Sequence, residues 1–227
     1  MTGEQEREIR WQQMASLGRL LADFSHEMRN HLAVIQEANG LLEDILALQG
    51  EEGNPLLSSV RQTADQIGRR VRRSAELCRH LSSMVHRSDT PRSFFQVNDL
   101  LIDLAVFLGR STRSQQITLQ FEPGQGVEPL YNEPALLQYI LYQLYVFSLQ
   151  QLGQGGTLLV RTAQVENGVA IDFYLPGVPQ ATLAGISETV WAALASLEAK
   201  LEELKNIGDG LADSAGLRLL LPSLPVV

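Results

Sequence analysis

The stretch Ser25-His26-Glu27-Met28-Arg29-Asn30-His31 gathers side chains suited to group-transfer chemistry. A neutral imidazole is a nucleophile, and the ordinary pKa of histidine makes that form available at neutral pH. Glu27 can take the proton from one ring nitrogen of His26 and leave the other free to attack. On a helix, Asn30 lies one turn beyond His26 on the same face, where its amide can hold a water or a phosphoryl oxygen. His26, Glu27 and Asn30 are the candidate catalytic residues. An exposed His-Glu pair is also common on plain solvated helices, and these residues alone leave both readings open. Metal ligation fits badly. His26 and His31 are five positions apart, about 140° around a helix, unlike the i, i+4 pair of a zincin. His80 and His86 are six apart and read as solvated or capping residues. The single cysteine, Cys78, excludes an intramolecular disulfide and any Cys-rich zinc site.

Two helices must position this segment. Met14, Leu17, Leu21, Phe24, Met28, Leu32 or His31, Ile35, Leu42 and Ile45 step by three and four, an apolar seam sustained for about nine turns. His26 lies off that seam with Arg29, Asn30 and Ala33, facing solvent. Turn formers at Gly50–Pro55 break the pattern. A second seam follows at Val60, Ala64, Ile67, Val71, Ser74, Cys78, Leu81 and Val85, and Ser88-Asp89-Thr90-Pro91 ends it. The expectation is an antiparallel hairpin over residues 1–92. Its stripe would stay wet in one chain, so two hairpins are expected to pair into a homodimeric four-helix bundle.

The chain has 227 residues, 44% of them hydrophobic and 19% charged, which is enough to bury a core. Its net charge of −8 argues against a general nucleic-acid binder. The charge is uneven: −6 over residues 1–55, +5 over 56–92 and −7 over 93–227, with sixteen of the eighteen cations Arg. The polar opening MTGEQEREIRWQQ is no signal peptide, and the run Pro134–Val160 is too broken by Gln and Gly to span a membrane, so a cytoplasmic protein is expected. Residues 93–227 read as a second domain of mixed α/β type. Helices are expected at 97–109, 132–152 and 186–205, and strands at 116–121, 157–165, 169–175 and 216–221, with Asn167-Gly168 as a hairpin turn. Together they make an α+β two-layer sandwich.

The segment from Leu17 to Asn30 resembles the H-box of bacterial sensor histidine kinases, which reads Ser-His-Glu-aliphatic-Arg-Asn/Thr-Pro-Leu. The departure is His31, where the family usually has Pro. It falls on the seam side and bears on helix bending more than on chemistry. The hairpin looks like the family's dimerisation and histidine-phosphotransfer domain, and the second half like its ATP-binding domain in vestigial form. The family's Asn-rich helix motif corresponds to Ile140-Leu141-Tyr142-Gln143-Leu144-Tyr145-Val146-Phe147-Ser148, which puts Gln143 and Phe147 at the two Asn positions. An aromatic ring offers a hard cation no lone pair. In the family's Asp-x-Gly-x-Gly-Ile-Pro element, Phe173 replaces the Asp and Leu175 the first Gly. Few residues separate Pro179 from Ile186, too few for an ATP lid, and Gly208-Asp209-Gly210 reads as a turn.

The resemblance therefore implies a two-component phosphorelay histidine phosphotransferase built on a degenerate kinase. His26 would exchange a phosphoryl group with receiver-domain Asp residues, without ATP-dependent autokinase activity. No cofactor is expected in this chain, since the receiver's acidic pocket supplies Mg²⁺, and ATP is not expected to bind. Glu27 would deprotonate the ring, and Asn30 resembles the position that places a water for dephosphorylation of the partner. The implied receiver surface includes Arg29, Ala33, Glu37, Leu57 and Arg61. The cluster Arg69, Arg70, Arg72 and Arg73 would either steer an acidic receiver or pair with the chain's own carboxylates. Two other readings stay open: a non-catalytic scaffold that binds response regulators, and a divergent ATP-dependent histidine kinase or phosphatase.

Overall fold

The computed structural model describes residues 3–47, 56–178, 183–204 and 214–226. Helix α1 (Gly3–Ala47) and helix α2 (Leu56–His86) come first; the expected turn at Gly50–Pro55 lies outside the described residues. Then follow β1 (Ser93–Phe95), α3 (Val97–Ser114), β2 (Thr118–Glu122), β3 (Leu130–Asn132), α4 (Pro134–Leu152), β4 (Thr157–Val165) and β5 (Gly168–Pro176). A 3-10 turn at Leu183–Gly185, α5 (Glu188–Ser196), β6 (Lys200–Leu204) and β7 (Ser214–Pro222) complete the order. The chain divides into two compact units, Leu20–Ser82 on the one hand and Met1–Arg19 with Ser83–Val227 on the other.

The first unit is made of the middle lengths of α1 and α2. Leu20, His31, Ala38 and Ile45 are the buried residues of α1 here, and Thr63 and Leu77 those of α2. His31, Ala38 and Ile45 repeat at intervals of seven, the spacing of a supercoiled seam. On α2 the expected seam is met in part: Val60, Ile67, Ser74 and Leu81 are half-buried beside the covered Thr63 and Leu77, while Ala64, Val71 and Cys78 are exposed. One hairpin can cover one row of each helix, so the neighbouring apolar row, with Leu21 and Leu32 on α1, faces outward.

The second unit is the mixed α/β sandwich that the periodicity predicts. Its five-stranded sheet has the order β2-β4-β5-β7-β6, in which β2 runs parallel to β4 and the other pairs are antiparallel. β1 and β3 form a separate two-stranded ribbon. The core lies between sheet and helices: Leu100, Leu101 and Leu104 of α3, Leu137, Ile140, Leu141 and Leu144 of α4, and Ile171, Phe173, Leu217 and Leu219 of the sheet are all fully buried. Several boundaries shift, among them β2, which is Thr118–Glu122, and β7, which is Ser214–Pro222. α3 runs on to Ser114. α4 begins at Pro134 because Asn132 belongs to β3, where it is wholly buried and its Nδ2 donates to the Pro222 carbonyl at 2.9 Å. The expected helix over 186–205 is corrected: α5 ends at Ser196 and Lys200–Leu204 is an edge strand paired with β7. Glu198 takes a left-handed backbone (φ 56°), which stops the helix, and the Lys-Leu-Glu-Glu-Leu sequence then supplies the charged edge that discourages stray pairing.

The ends of the long helices are fastened inside this unit. Arg87, in the loop just after α2, forms a buried ion pair with Asp103 of α3 and also donates to Gln138 at 3.4 Å. In the first turns of α1, Ser16 Oγ accepts from Gln143 Nε2 of α4 at 3.2 Å. Glu133, at the start of α4, has its carboxyl pKa pushed up by burial, partly offset by Arg92 and Arg10.

Across the other face of the sheet runs a charge ladder in register: Glu122 opposite Arg161, Arg161 opposite Asp172, Asp172 opposite Arg218, and Arg218 opposite Glu202. Arg218 grips Asp172 with two 2.7 Å bonds, the fork geometry that guanidinium and carboxylate favour, and Tyr174 donates to the same carboxylate at 3.0 Å. This pairing raises the Arg218 pKa. Asp172 is buried, so replacing its charge leaves Arg218 without its main partner. Asp172→Asn is expected to lower stability by about 2 kcal/mol, read as a reduced urea midpoint at unchanged slope.

Candidate functional site

His26 sits in the middle of α1, half-buried. At about 100° per residue, His26, Asn30, Ala33 and Glu37 fall within about 60° of one another on the helix surface, with Arg29 beside them. Arg29, Asn30, Ala33 and Glu37 are exposed, as is Arg61 on α2; the side chain of Leu57 lies outside the described residues. The structure thus brings five of the sequence-derived residues to one face of α1.

Asn30 Nδ2 lies 3.1 Å from Nδ1 of His26. The ring nitrogen engaged by the side chain one turn on is therefore Nδ1, and Nε2 is the nitrogen left for an incoming electrophile. When the amide donates to Nδ1, the neutral ring carries its proton on Nε2; when the amide turns over and accepts, the proton moves to Nδ1 and Nε2 has a free lone pair. Asn30 can in this way set which nitrogen is nucleophilic. Glu27 is half-buried, and its Oε1 lies 3.9 Å from Nε2 of His31. His31 itself is 3% exposed, with Nδ1 3.2 Å from Ser74 Oγ and 3.4 Å from the Arg70 carbonyl oxygen. In the sequence His31 stands out as a departure from proline, and a histidine on an apolar seam is the signal that polar partners wait on the facing helix.

The remaining histidines and the Arg cluster play local parts. His86 bonds Asp89 at 2.8 Å just past the end of α2, as a capping residue would. Arg73 pairs with Glu76 of its own helix at 3.2 Å, and Arg69 and Arg72 are exposed. His31 packs against Arg70 and Ser74, so this cationic stretch lies within about two turns of His26. No group of three metal-ligating side chains occurs among the described residues. No helix among them is long and apolar enough to cross a membrane.

The positions where the resembled family holds its nucleotide carry other chemistry. Gln143 is half-buried, and its Nε2 donates to Ser16 Oγ. Phe147 is buried, and its ring lies so close to Gly185 that a Cβ there would stand 2.8 Å from Cε2. Phe173 is wholly buried and meets Tyr145 edge-on, ring centroids 5.3 Å apart. Leu175 is 1% exposed. A magnesium nucleotide needs oxygen ligands for the cation and open backbone for the phosphates. The residues present do not fit that group at these positions. Pro179 and Gly208-Asp209-Gly210 lie outside the described residues.

Comparison with known proteins agrees with this geometry. Sensor histidine kinase ZraS of Escherichia coli strain K12 is 26% identical over 169 residues, covering 74% of this chain and 34% of that protein. Sensor kinase CckA of Brucella abortus is 23% identical over 171 residues, 75% of this chain and 17% of its own. The catalytic domain of histidine kinase ThkA superposes with a TM-score of 0.50 at 12% identity, covering 59% of this chain and 97% of that domain. No family model matches. The homologues are sensor histidine kinases, and the α/β unit has the fold of their ATPase domain. Over about three quarters of its length the chain is similar in sequence to sensor histidine kinases, with the nucleotide positions altered. It spans about a third (34%) of the length of the first of these relatives.

If Phe173 is now a core residue, restoring the family's carboxylate should damage the fold rather than revive a pocket. Phe173→Asp would bury a charge opposite Tyr145 and remove an aromatic ring. It is expected to cost about 4 kcal/mol, seen as a fall in Tm, with no thermal shift on adding Mg-ATP.

Proposed function

We propose that this chain is a phosphorelay histidine phosphotransferase: His26 exchanges a phosphoryl group with the Asp of a response-regulator receiver domain, and the chain does not phosphorylate itself from ATP. The observation that carries the reading is a contrast within one chain. The His-bearing motif is kept except at His31, with His26, Asn30, Ala33 and Glu37 on one face of α1, while the nucleotide positions are filled by Phe147 and Phe173.

In the transfer, Nε2 of His26 attacks the phosphorus of the receiver's aspartyl phosphate. The N–P bond forms, the P–O bond breaks, and the carboxylate leaves with the electron pair. The phosphorylated ring is then an imidazolium whose Nδ1 proton is shared with Asn30 or taken by Glu27. Return transfer runs the same steps backward. The receiver brings the Mg²⁺ that screens the phosphoryl oxygens, so this chain needs no metal site of its own. Arg29, Ala33, Glu37 and Arg61, with Leu57, form the docking surface, and Arg69, Arg70, Arg72 and Arg73 draw the acidic partner toward it. The outward row with Leu21, Leu32 and Val71 is covered in a homodimer, where two hairpins make a four-helix bundle.

The test is a transfer assay with a phosphorylated receiver from the same organism. Wild type is expected to acquire acid-labile phosphate and His26→Ala to acquire none. Asn30→Ala should slow net dephosphorylation of the receiver about tenfold or more. Equal uptake by His26→Ala would leave a binding scaffold as the better reading, and labelling of His26 from Mg-ATP alone would make the chain a divergent kinase.

A further inference from the structure

His31 stands where the resembled family has proline, and the structure gives the substitution a set of contacts. The ring is buried, and burying a polar group is costly unless its hydrogen bonds are met. On one side lie the Ser74 hydroxyl and the Arg70 carbonyl of α2; on the other, the carboxylate of Glu27 one turn back on α1. The chemistry of these groups orders the protons. An ionised carboxylate only accepts, so the nitrogen facing it, Nε2, carries hydrogen. Nδ1 of the neutral ring then accepts from the Ser74 hydroxyl. In the cationic ring Nδ1–H donates to Ser74 Oγ or to the Arg70 carbonyl, and Nε2–H still faces Glu27. Both states hold the same line: Ser74, His31, Glu27. At 3.9 Å the last link is a charge–dipole contact rather than a full hydrogen bond, enough to bias where the carboxylate lies.

We propose that His31 is a positioning residue for Glu27: anchored to α2 through Ser74, it fixes the carboxylate that serves His26. This rests on the reading of His26 as the phosphoacceptor. A proline could not do it, having neither the ring nitrogens nor a backbone N–H. The contacts all lie within the compact unit Leu20–Ser82, so the device belongs to the hairpin itself.

Phosphoramidate is the probe, because it is a small phosphoryl donor that needs no docking surface. Nε2 of His26 attacks phosphorus, the P–N bond of the donor breaks, and ammonia leaves, its nitrogen keeping the electron pair; the imidazole keeps its Nδ1 proton until a base removes it. The rate of label at His26 is measured on the full chain by peptide mapping, with His26→Ala as the blank. His31→Leu keeps the bulk but loses both nitrogens and is expected to slow labelling about fivefold to tenfold, within what general-base assistance supplies. His31→Gln keeps an N–H for Glu27 and an acceptor for Ser74, and is expected to recover to within about twofold of wild type. In a Glu27→Gln background, His31→Leu is expected to have no further effect, since a residue acting through Glu27 cannot act without it. Ser74→Ala, which leaves the ring in place, should slow labelling in the same direction. Equal rates for His31→Leu and wild type would overturn the proposal, and so would an undiminished effect of His31→Leu on top of Glu27→Gln. If wild type takes no label at His26, the phosphoacceptor reading itself fails and the proposal goes with it, a result distinct from labelling that ignores His31.

Discussion

The packing of α1 against α2 through one heptad row decides what the rest of the hairpin can offer. A helix advances about 100° per residue, so once His31, Ala38 and Ile45 are turned to the partner helix the direction of every other side chain on those turns is settled. His26 and Asn30 then fall on a free face one behind the other, close enough for the 3.1 Å contact between amide and ring. The same constraint turns Glu27 inward, within reach of His31. Glu27 follows His26 by about 100° around the helix, so it stands between the imidazole, which meets Asn30, and the edge of the interhelical seam, where it meets His31.

The α/β unit obeys a different constraint. Its stability comes from an apolar layer between sheet and helices and a closed charge ladder on the opposite face, and neither depends on a ligand. A pocket can therefore be filled without loss of the fold, provided that volume and polarity are respected. Phe173 meets both conditions because its strand neighbours Ile171 and Leu175 are equally buried and Tyr145 supplies an aromatic partner. Fold and function separate at these positions, as they do wherever chemistry resides in a few side chains grafted on a stable frame.

Much of this was legible in the sequence because it is local. The apolar period of α1, the alternation in β4 and β5 and the Asn167-Gly168 turn each lie within a dozen residues, and each formed close to its expected bounds. What escaped notice depends on distant partners or on one unusual backbone. The break between α5 and β6 rests on Glu198 at positive φ, which no period reveals. The ladder joins residues such as Asp172 and Arg218, 46 positions apart, whose meeting is fixed only by strand order. On α2 half of the expected seam, Val60-Ile67-Ser74-Leu81, is half-buried, while its companion row Ala64-Val71-Cys78 is exposed and Thr63 and Leu77 are covered in its place. Packing within the hairpin selects that side by geometry and not by hydropathy alone. Among the site residues, the face shared by His26, Asn30, Ala33 and Glu37 followed from period, whereas the tie of His31 to Ser74, 43 positions away, did not.

Gln143 ties α4 to α1. In the resembled kinases this helix position carries an Asn of the nucleotide motif; one methylene longer, the amide here reaches Ser16 in the first turns of α1. Ser16 is 5% exposed and also donates to the Gln12 carbonyl at 2.8 Å, so its hydroxyl is satisfied as donor and as acceptor. A cation ligand must keep its lone pairs free and its surroundings wet enough to admit the ion. A tie between helices needs the reverse, a dry contact with its hydrogen bonds closed. The bond donated by Gln143 Nε2 to Ser16 meets the second demand. With Arg87 bound to Asp103, both the start of α1 and the segment that leaves α2 are held by helices of the α/β unit.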